Sequence, residues 1–184
     1  VMTRYEQPSG TLRCAEVLSQ FPMVTHVVNV QGDEPLIDPQ MIDFLATNMI
    51  EQTGLKVATL IRRIEDAADL SNPNVVKVVI NRNNEAMYFS RQAIPFVRDF
   101  PVDSWLEHGV YYKHVGMYAY TSQALMAIEK LHMHPYEALE KLEQLTWIAH
   151  GLSIECYETN MESIGIDTEE DLKAVTSMIA ELED

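Results

Sequence analysis

The chain has 184 residues, 47% of them hydrophobic and 22% charged, with a net charge of −15. That size and apolar share suit a single globular domain with a real core. They exclude a nucleic-acid binder built on a basic stripe, and no apolar run is long enough for membrane insertion. No secretory leader pattern is visible, and two cysteines, Cys14 and Cys156, form no disulfide framework. A reducing, cytoplasmic setting is the expectation.

The chain opens on Val1 with strand-like VMTR already under way, as if entered part-way through an N-terminally truncated domain. Ser9-Gly10-Thr11 precedes Leu12, Ala15, Leu18 and Phe21 at helical spacing. Thr25 to Gln31 reads as a strand buried on both faces, ending abruptly in Gln31-Gly32-Asp33-Glu34-Pro35. Asp38 and Pro39 then predict a helix start, with Met41, Ile42, Leu45, Met49 and Ile50 on one face. Val57 to Ile64 alternates like a strand. Val75 to Ile80 and Ala86 to Ser90 flank a hairpin turn at Asn81 to Asn84.

Asp99 to Gly109 reads as the one long loop. His114 to Tyr120 is a further predicted strand, followed by a helix from Ser122 to Leu131. Tyr136 to His150 reads as one helix, Leu152 to Tyr157 as a strand, and Thr168 as the cap of a last helix. The alternation predicts an α/β fold with a mostly parallel sheet and an inserted antiparallel section.

Two acidic loops, Gly32-Asp33-Glu34 and Ile164-Gly165-Ile166-Asp167-Thr168, stand at strand-to-helix junctions. The carboxyl edge of an open α/β sheet is where ligands bind. Magnesium takes one or two carboxylates plus phosphate oxygens and water, so two such loops meeting would suit a metal-bound nucleoside triphosphate. Asp167 by itself reads as a helix-start acid, and it becomes a metal-ligand candidate through its pairing with Asp33. Arg91 and Arg98 are either forks for a carboxylate or surface partners of nearby acids. His114 is either a core histidine or a ligand to a sugar hydroxyl. Glu143-Gln144 sits in the predicted Tyr136–His150 helix, where such pairs are commonly solvated. No P-loop, dinucleotide glycine fingerprint or HExxH is present.

NVQGDEP, NPNVVKVV, YFSR, HVGMYAY, LEKLEQL and IGIDTEEDL, in that order and over essentially the whole chain, resemble the CMP-Kdo synthetase family. These are the 3-deoxy-manno-octulosonate (Kdo) cytidylyltransferases. The resemblance implies a three-layer, Rossmann-like nucleotidyltransferase fold across residues 1–184. Within it, residues 86–120 would form a sugar-binding and dimerisation section. It implies a cytoplasmic, Mg2+-dependent homodimer joining CTP to Kdo, with CMP-Kdo and pyrophosphate as products, for lipopolysaccharide synthesis. Another acidic sugar, 8-amino-Kdo or a sialic acid, is the neighbouring possibility, and a non-catalytic dimerising remnant a further one.

Carried over by motif, Asp33 and Asp167 would hold the metal, and Gln31 would sit at the nucleotide–sugar junction. Arg13 would lie near the cytidine. Arg91, Arg98, His114, Glu143 and Gln144 would line the sugar site. Three departures stand out. Leu12 replaces an acid that usually orients Arg13, Thr146 replaces a usual arginine, and nothing matches the family's basic N-terminal loop. The expectation is that this chain alone binds CTP poorly.

Overall fold

A computed structural model describes residues 1–161, 165–166 and 169–183. Helix α1, Gly10–Leu18, begins where the Ser9 hydroxyl accepts from the Leu12 N–H and closes one orphan donor of the first turn. Thr11, Ala15 and Leu18 are its buried positions. Strand β1, His26–Asn29, follows. Helix α2, Pro39–Glu51, is capped by Asp38, which accepts from Gln40 N, with Pro39 in its first turn. It buries Met41, Leu45 and Met49, one face at four-residue spacing. Burial of such side chains contributes roughly 1.5–3 kcal/mol each.

Strand β2 is Val57–Arg63, α3 is Ala67–Ser71, and β3 (Lys77–Ile80) and β4 (Ala86–Ser90) form the predicted hairpin. In its turn Asn84 takes the left-handed conformation (φ 62°), one that asparagine tolerates better than most residues. A 3-10 turn at Val102–Ser104 leads into α4, Trp105–His108, and then β5, Tyr112–Thr121. The remaining elements are α5 (Ser122–Ile128), α6 (Pro135–Glu140), α7 (Gln144–Ala149), β6 (Glu155–Glu158) and α8 (Glu169–Glu183). The predicted cap of α8, Thr168, lies outside the described residues.

One six-stranded sheet runs β4-β3-β5-β2-β6, with β1 also joined to β5. The α/β class holds, but pairing is more antiparallel than the alternation of elements suggests. Strand β5 runs against β1, β2 and β3, the β3–β4 hairpin is antiparallel, and β2–β6 is the parallel pair. Alternation along β2 separates two layers. Val57 and Ile61 join α1, α5 and α7 in one cluster, while Ala58 and Leu60 face α2 in another. A third, smaller cluster of Ile64, Leu70, Trp105 and Tyr111 lies around α3 and α4, in large part within the 86–120 section.

Three predicted elements differ. The predicted Asp99–Gly109 loop holds the Val102–Ser104 3-10 turn and α4. β1 is only half-buried over most of its length, because among the described strands it pairs with β5 alone. The predicted Tyr136–His150 helix is two helices. Lys141 breaks it with a left-handed backbone (φ 56°), which for a side-chain-bearing residue costs about 1–2 kcal/mol. Its N–H donates to Glu137 O at 2.7 Å, a helix-ending bond that satisfies one orphan carbonyl.

Candidate active site

The site follows from how β5 shares one edge between two partners. Tyr112 and Lys113 pair with β3, and Tyr118 to Thr121 pair with β1. Between them Val115, Gly116 and Met117 are released from that edge. On the opposite edge Thr59 pairs Tyr118 and Leu60 pairs Val115, so Gly116 and Met117 also bulge away from β2. Bulges of this kind re-aim side chains beside functional sites. A cavity of about 270 Å3 opens there, lined by Gln31, Asp33, Glu34, His114, Gly116, Tyr118, Glu143 and Gln144 among others.

Strand β1 delivers the QGDEP turn into this gap. The approach is close at Gly116: a Cβ there would meet Glu34 Oε1 at 3.3 Å and Gln31 Cγ at 3.6 Å, tight enough that the Glu34 side chain would have to shift. Gly10 similarly makes room for Asn29, whose amide is 3.3 Å from where a Cβ would stand. The Asp33 carbonyl accepts from Ile166 N–H at 2.9 Å, so the two acidic loops meet. Asp167 itself lies outside the described residues. No group of three or more His, Cys, Asp or Glu side chains suited to a metal occurs among the described residues. A hard cation held at Asp33 therefore needs further oxygens, from the second acidic loop or from substrate phosphates.

The break at Lys141 turns Leu142, Glu143 and Gln144 back toward the sheet. Thr11 Oγ1 donates to Glu143 Oε1 at 2.6 Å and lies 3.1 Å from Tyr120 Oη. Burial pushes the Glu143 carboxyl above its usual range, against the opposing bonds from Thr11 and Ser9. Burial likewise holds His114 down at about 3, a neutral imidazole at physiological pH. Phe89 and Tyr118 pack against its ring at 5.2 and 5.1 Å. The Tyr118 hydroxyl is buried without a partner among the described residues.

Of the sequence-predicted site residues, Gln31, Asp33, His114, Glu143 and Gln144 are brought together around one cavity. The three arginines do not line it. Arg91 donates through Nε to Glu140 O (2.8 Å) and through Nη1 to Pro73 O (2.9 Å). Its backbone N–H and the Ser90 hydroxyl hold the Glu140 carboxylate, so Arg91 braces the end of α6. Arg98 is exposed beside Asp99 at 3.7 Å. Arg13 gathers Thr3 Oγ1 and the carbonyls of Arg4, Tyr5 and Gln7, and so ties down the first residues. Carbonyls thus take the place of the acid missing at Leu12. Thr146 accepts from His134 N–H and donates to the Glu137 carboxylate, joining α7 to the start of α6.

Tyr118, Gly116 and Lys141 were not singled out from the sequence. Tyr118 was findable, since it stands four residues from His114 on one strand and so on the same face. Lys141 was not, because its place depends on a helix break that the helical spacing of Leu139, Leu142, Leu145 and Ile148 conceals.

A family profile described as Cytidylyltransferase matches residues 1–161. The 3-deoxy-manno-octulosonate cytidylyltransferase of Cytophaga hutchinsonii is 46% identical over 178 residues, covering 96% of this chain and 70% of the relative. The enzyme of that name from Psychromonas ingrahamii is 44% identical, covering 97% and 73%. The solved structure of CMP:2-keto-3-deoxy-manno-octonic acid synthetase complexed with CTP superposes with a TM-score of 0.88 at 37% identity. It covers 98% of this chain and 72% of that one. A 4-diphosphocytidyl-2C-methyl-D-erythritol synthase from Anaerococcus prevotii, at TM-score 0.55 and 13% identity over 95% and 68%, shares the fold alone.

Proposed function

The chain belongs to the cytidylyltransferases, in the 3-deoxy-manno-octulosonate branch, and from that premise we propose that its cavity binds Kdo for activation by CTP. The anomeric oxygen of Kdo forms a bond to the α-phosphorus, the bond to pyrophosphate breaks, and the hydroxyl proton is lost. The products are CMP-Kdo, a precursor for lipopolysaccharide, and pyrophosphate. The observation that carries this reading is the cavity itself. Its lining supports the reading: the acidic loop at Asp33, of a kind that suits a metal, stands beside His114, Tyr118, Glu143 and Gln144, groups able to bond a sugar's hydroxyls.

Both reactants are anions, so charge offset and in-line positioning dominate over any single acid or base. Asp33 and Asp167 would hold Mg2+, which supplies that offset. The fit rests on the Ile166–Asp33 bond and on an all-oxygen donor set. Gln31, at the junction between the Asp33 loop and the sugar cavity, orients the attacking end of the sugar. Glu143 and Gln144 take its hydroxyls. Lys141 lines the same cavity and offers a cation for the sugar carboxylate; the predicted Arg91 is committed to Glu140 and Pro73.

Dimerisation belongs to the same reading. The 86–120 section exposes Met87, Phe96, Phe100 and Val110, an apolar set that a second copy would cover. No helix among the described residues is long and apolar enough to cross a membrane. The test, on the intact protein, is pyrophosphate release from CTP and Mg2+ with Kdo, 8-amino-Kdo and a sialic acid side by side. Release with Kdo is expected. Release with another acid and none with Kdo would overturn the assignment.

A further inference from the structure

We propose that Thr59 is a positioning residue. It fixes His114 as the Nε2–H tautomer, so that Nδ1 presents a lone pair and the site demands a donor, a ligand hydroxyl, at that point. The ligand's identity rests on the reading above, but the tautomer does not.

The bulge of β5 supplies the reason. Thr59 Oγ1, completely buried, lies 2.7 Å from Met117 O and 3.4 Å from Val115 O, the carbonyls around the two residues that lose their partners on β2. A carbonyl oxygen only accepts. The single hydroxyl hydrogen of Thr59 is therefore committed to the bulge, chiefly to Met117 O. His114 Nε2 lies 2.9 Å from the same Oγ1. With its hydrogen committed, Oγ1 offers only lone pairs, and Nε2 must carry the proton.

The reverse assignment sends the hydroxyl hydrogen to Nε2. It would then set Oγ1 and Met117 O lone pair to lone pair at 2.7 Å, in a place closed to water. Neutral imidazole has one donor and one acceptor nitrogen, so fixing Nε2–H makes Nδ1 the acceptor. Nδ1 makes no hydrogen bond among the described residues, and His114 lines the cavity. The rings of Phe89 and Tyr118 hold the imidazole in place. A ligand that offers an ether or keto oxygen there is rejected, because a buried acceptor is left unpaired.

The deciding measurement is long-range 1H–15N correlation on the 15N-histidine-labelled intact protein without substrate, the His114 signals assigned by their loss in His114→Gln. A protonated Nε2 and an unprotonated, pyridine-type Nδ1 are expected, unchanged from pH 6 to 8. In Thr59→Val the tautomer preference is lost. The KM for the sugar then rises roughly tenfold, the equivalent of one misaligned hydrogen bond, while the KM for CTP stays within about twofold. Thr59→Ser keeps both at the wild-type level; with the wild-type spectrum it decides the matter if the valine variant does not fold. An Nδ1–H tautomer in the wild type overturns the proposal, as does a valine variant with wild-type spectrum and sugar KM. A protein with the Nε2–H tautomer and no turnover of Kdo would retain this inference and lose the assigned substrate.

Discussion

Two buried polar regions of this molecule, one beneath the β3–β4 hairpin and one at the β5 bulge, are built on opposite principles. Beneath the hairpin Lys77 has no exposed surface, and its ammonium donates to Asn72 O, Val75 O and Arg91 O at 2.8, 2.6 and 2.6 Å. Its neighbours Arg91 and Glu140 are likewise held by protein groups on several sides. At the bulge, Tyr118 Oη is buried with no partner among the described residues, and Asp33 is exposed beside it on the same cavity. A scaffold satisfies its polar groups internally, whereas a binding site holds some of them open for a ligand. What differs is whether the hydrogen-bonding capacity is already filled.

That contrast is broken or sharpened by four variants or conditions. Asp33→Asn should lower pyrophosphate release about a thousandfold, the scale of losing a transition-state electrostatic contact, and leave the thermal midpoint unchanged. A matching loss of stability would place Asp33 with the scaffold. Lys77→Met should do the opposite. Three buried carbonyls lose their donor, and the cost is about 3–5 kcal/mol in urea denaturation, with kcat per folded molecule retained.

The third test uses pH. Burial depresses His114 to about 3 from an unfolded value near 6.5, so the unfolded chain binds the extra proton first as pH falls. Its contribution to stability is complete above about pH 6.5 and is lost progressively down to about pH 3, roughly 2 kcal/mol by pH 5. Urea titrations at pH 7 and 5 should show that difference in the wild type, and His114→Gln should lack His114's share. Equal pH dependence in both proteins would remove His114 from the neutral, buried class. The smallest effect is that of Tyr118→Phe. Removing an unpartnered hydroxyl should leave stability within about 1 kcal/mol of wild type, with any change toward greater stability, while the sugar KM rises about tenfold. A clear loss of stability would mean the hydroxyl is bonded within the protein.

The same contrast explains how much could be read in advance. The Asp38 cap, the Pro39 start and the Asn81–Asn84 turn are local devices, and each occurs where the sequence predicts it; of the α2 stripe Met41, Leu45 and Met49 are buried, while Ile50 is 65% exposed. The Tyr136–His150 helix failed for a local reason overridden from outside. Leu139, Leu142, Leu145 and Ile148 keep helical spacing, yet Leu139 is 79% exposed and the chain turns at Lys141. The turn goes with contacts from distant residues: Arg91 and Ser90 grip Glu140, and Thr11 holds Glu143. The arginines illustrate the same limit. Their type suits a carboxylate ligand, but Arg91 and Arg13 found protein carbonyls first.

By itself the sequence determined the α/β class, most element positions and the family, because caps, periodicity and short motifs act over a few neighbouring residues. It also marked Gln31, Asp33, His114, Glu143 and Gln144 as candidates. Only the tertiary structure decided that these five surround one cavity, that Arg91 braces a helix end, and that Thr59 stands behind His114. The cavity and the place of Thr59 depend on the β5 bulge and on the division of its edge between β1 and β3, and the Arg91 brace on the meeting of β4 with α6. Each pairs residues tens of positions apart, by hydrogen bonds whose partners are chosen only when the sheet closes.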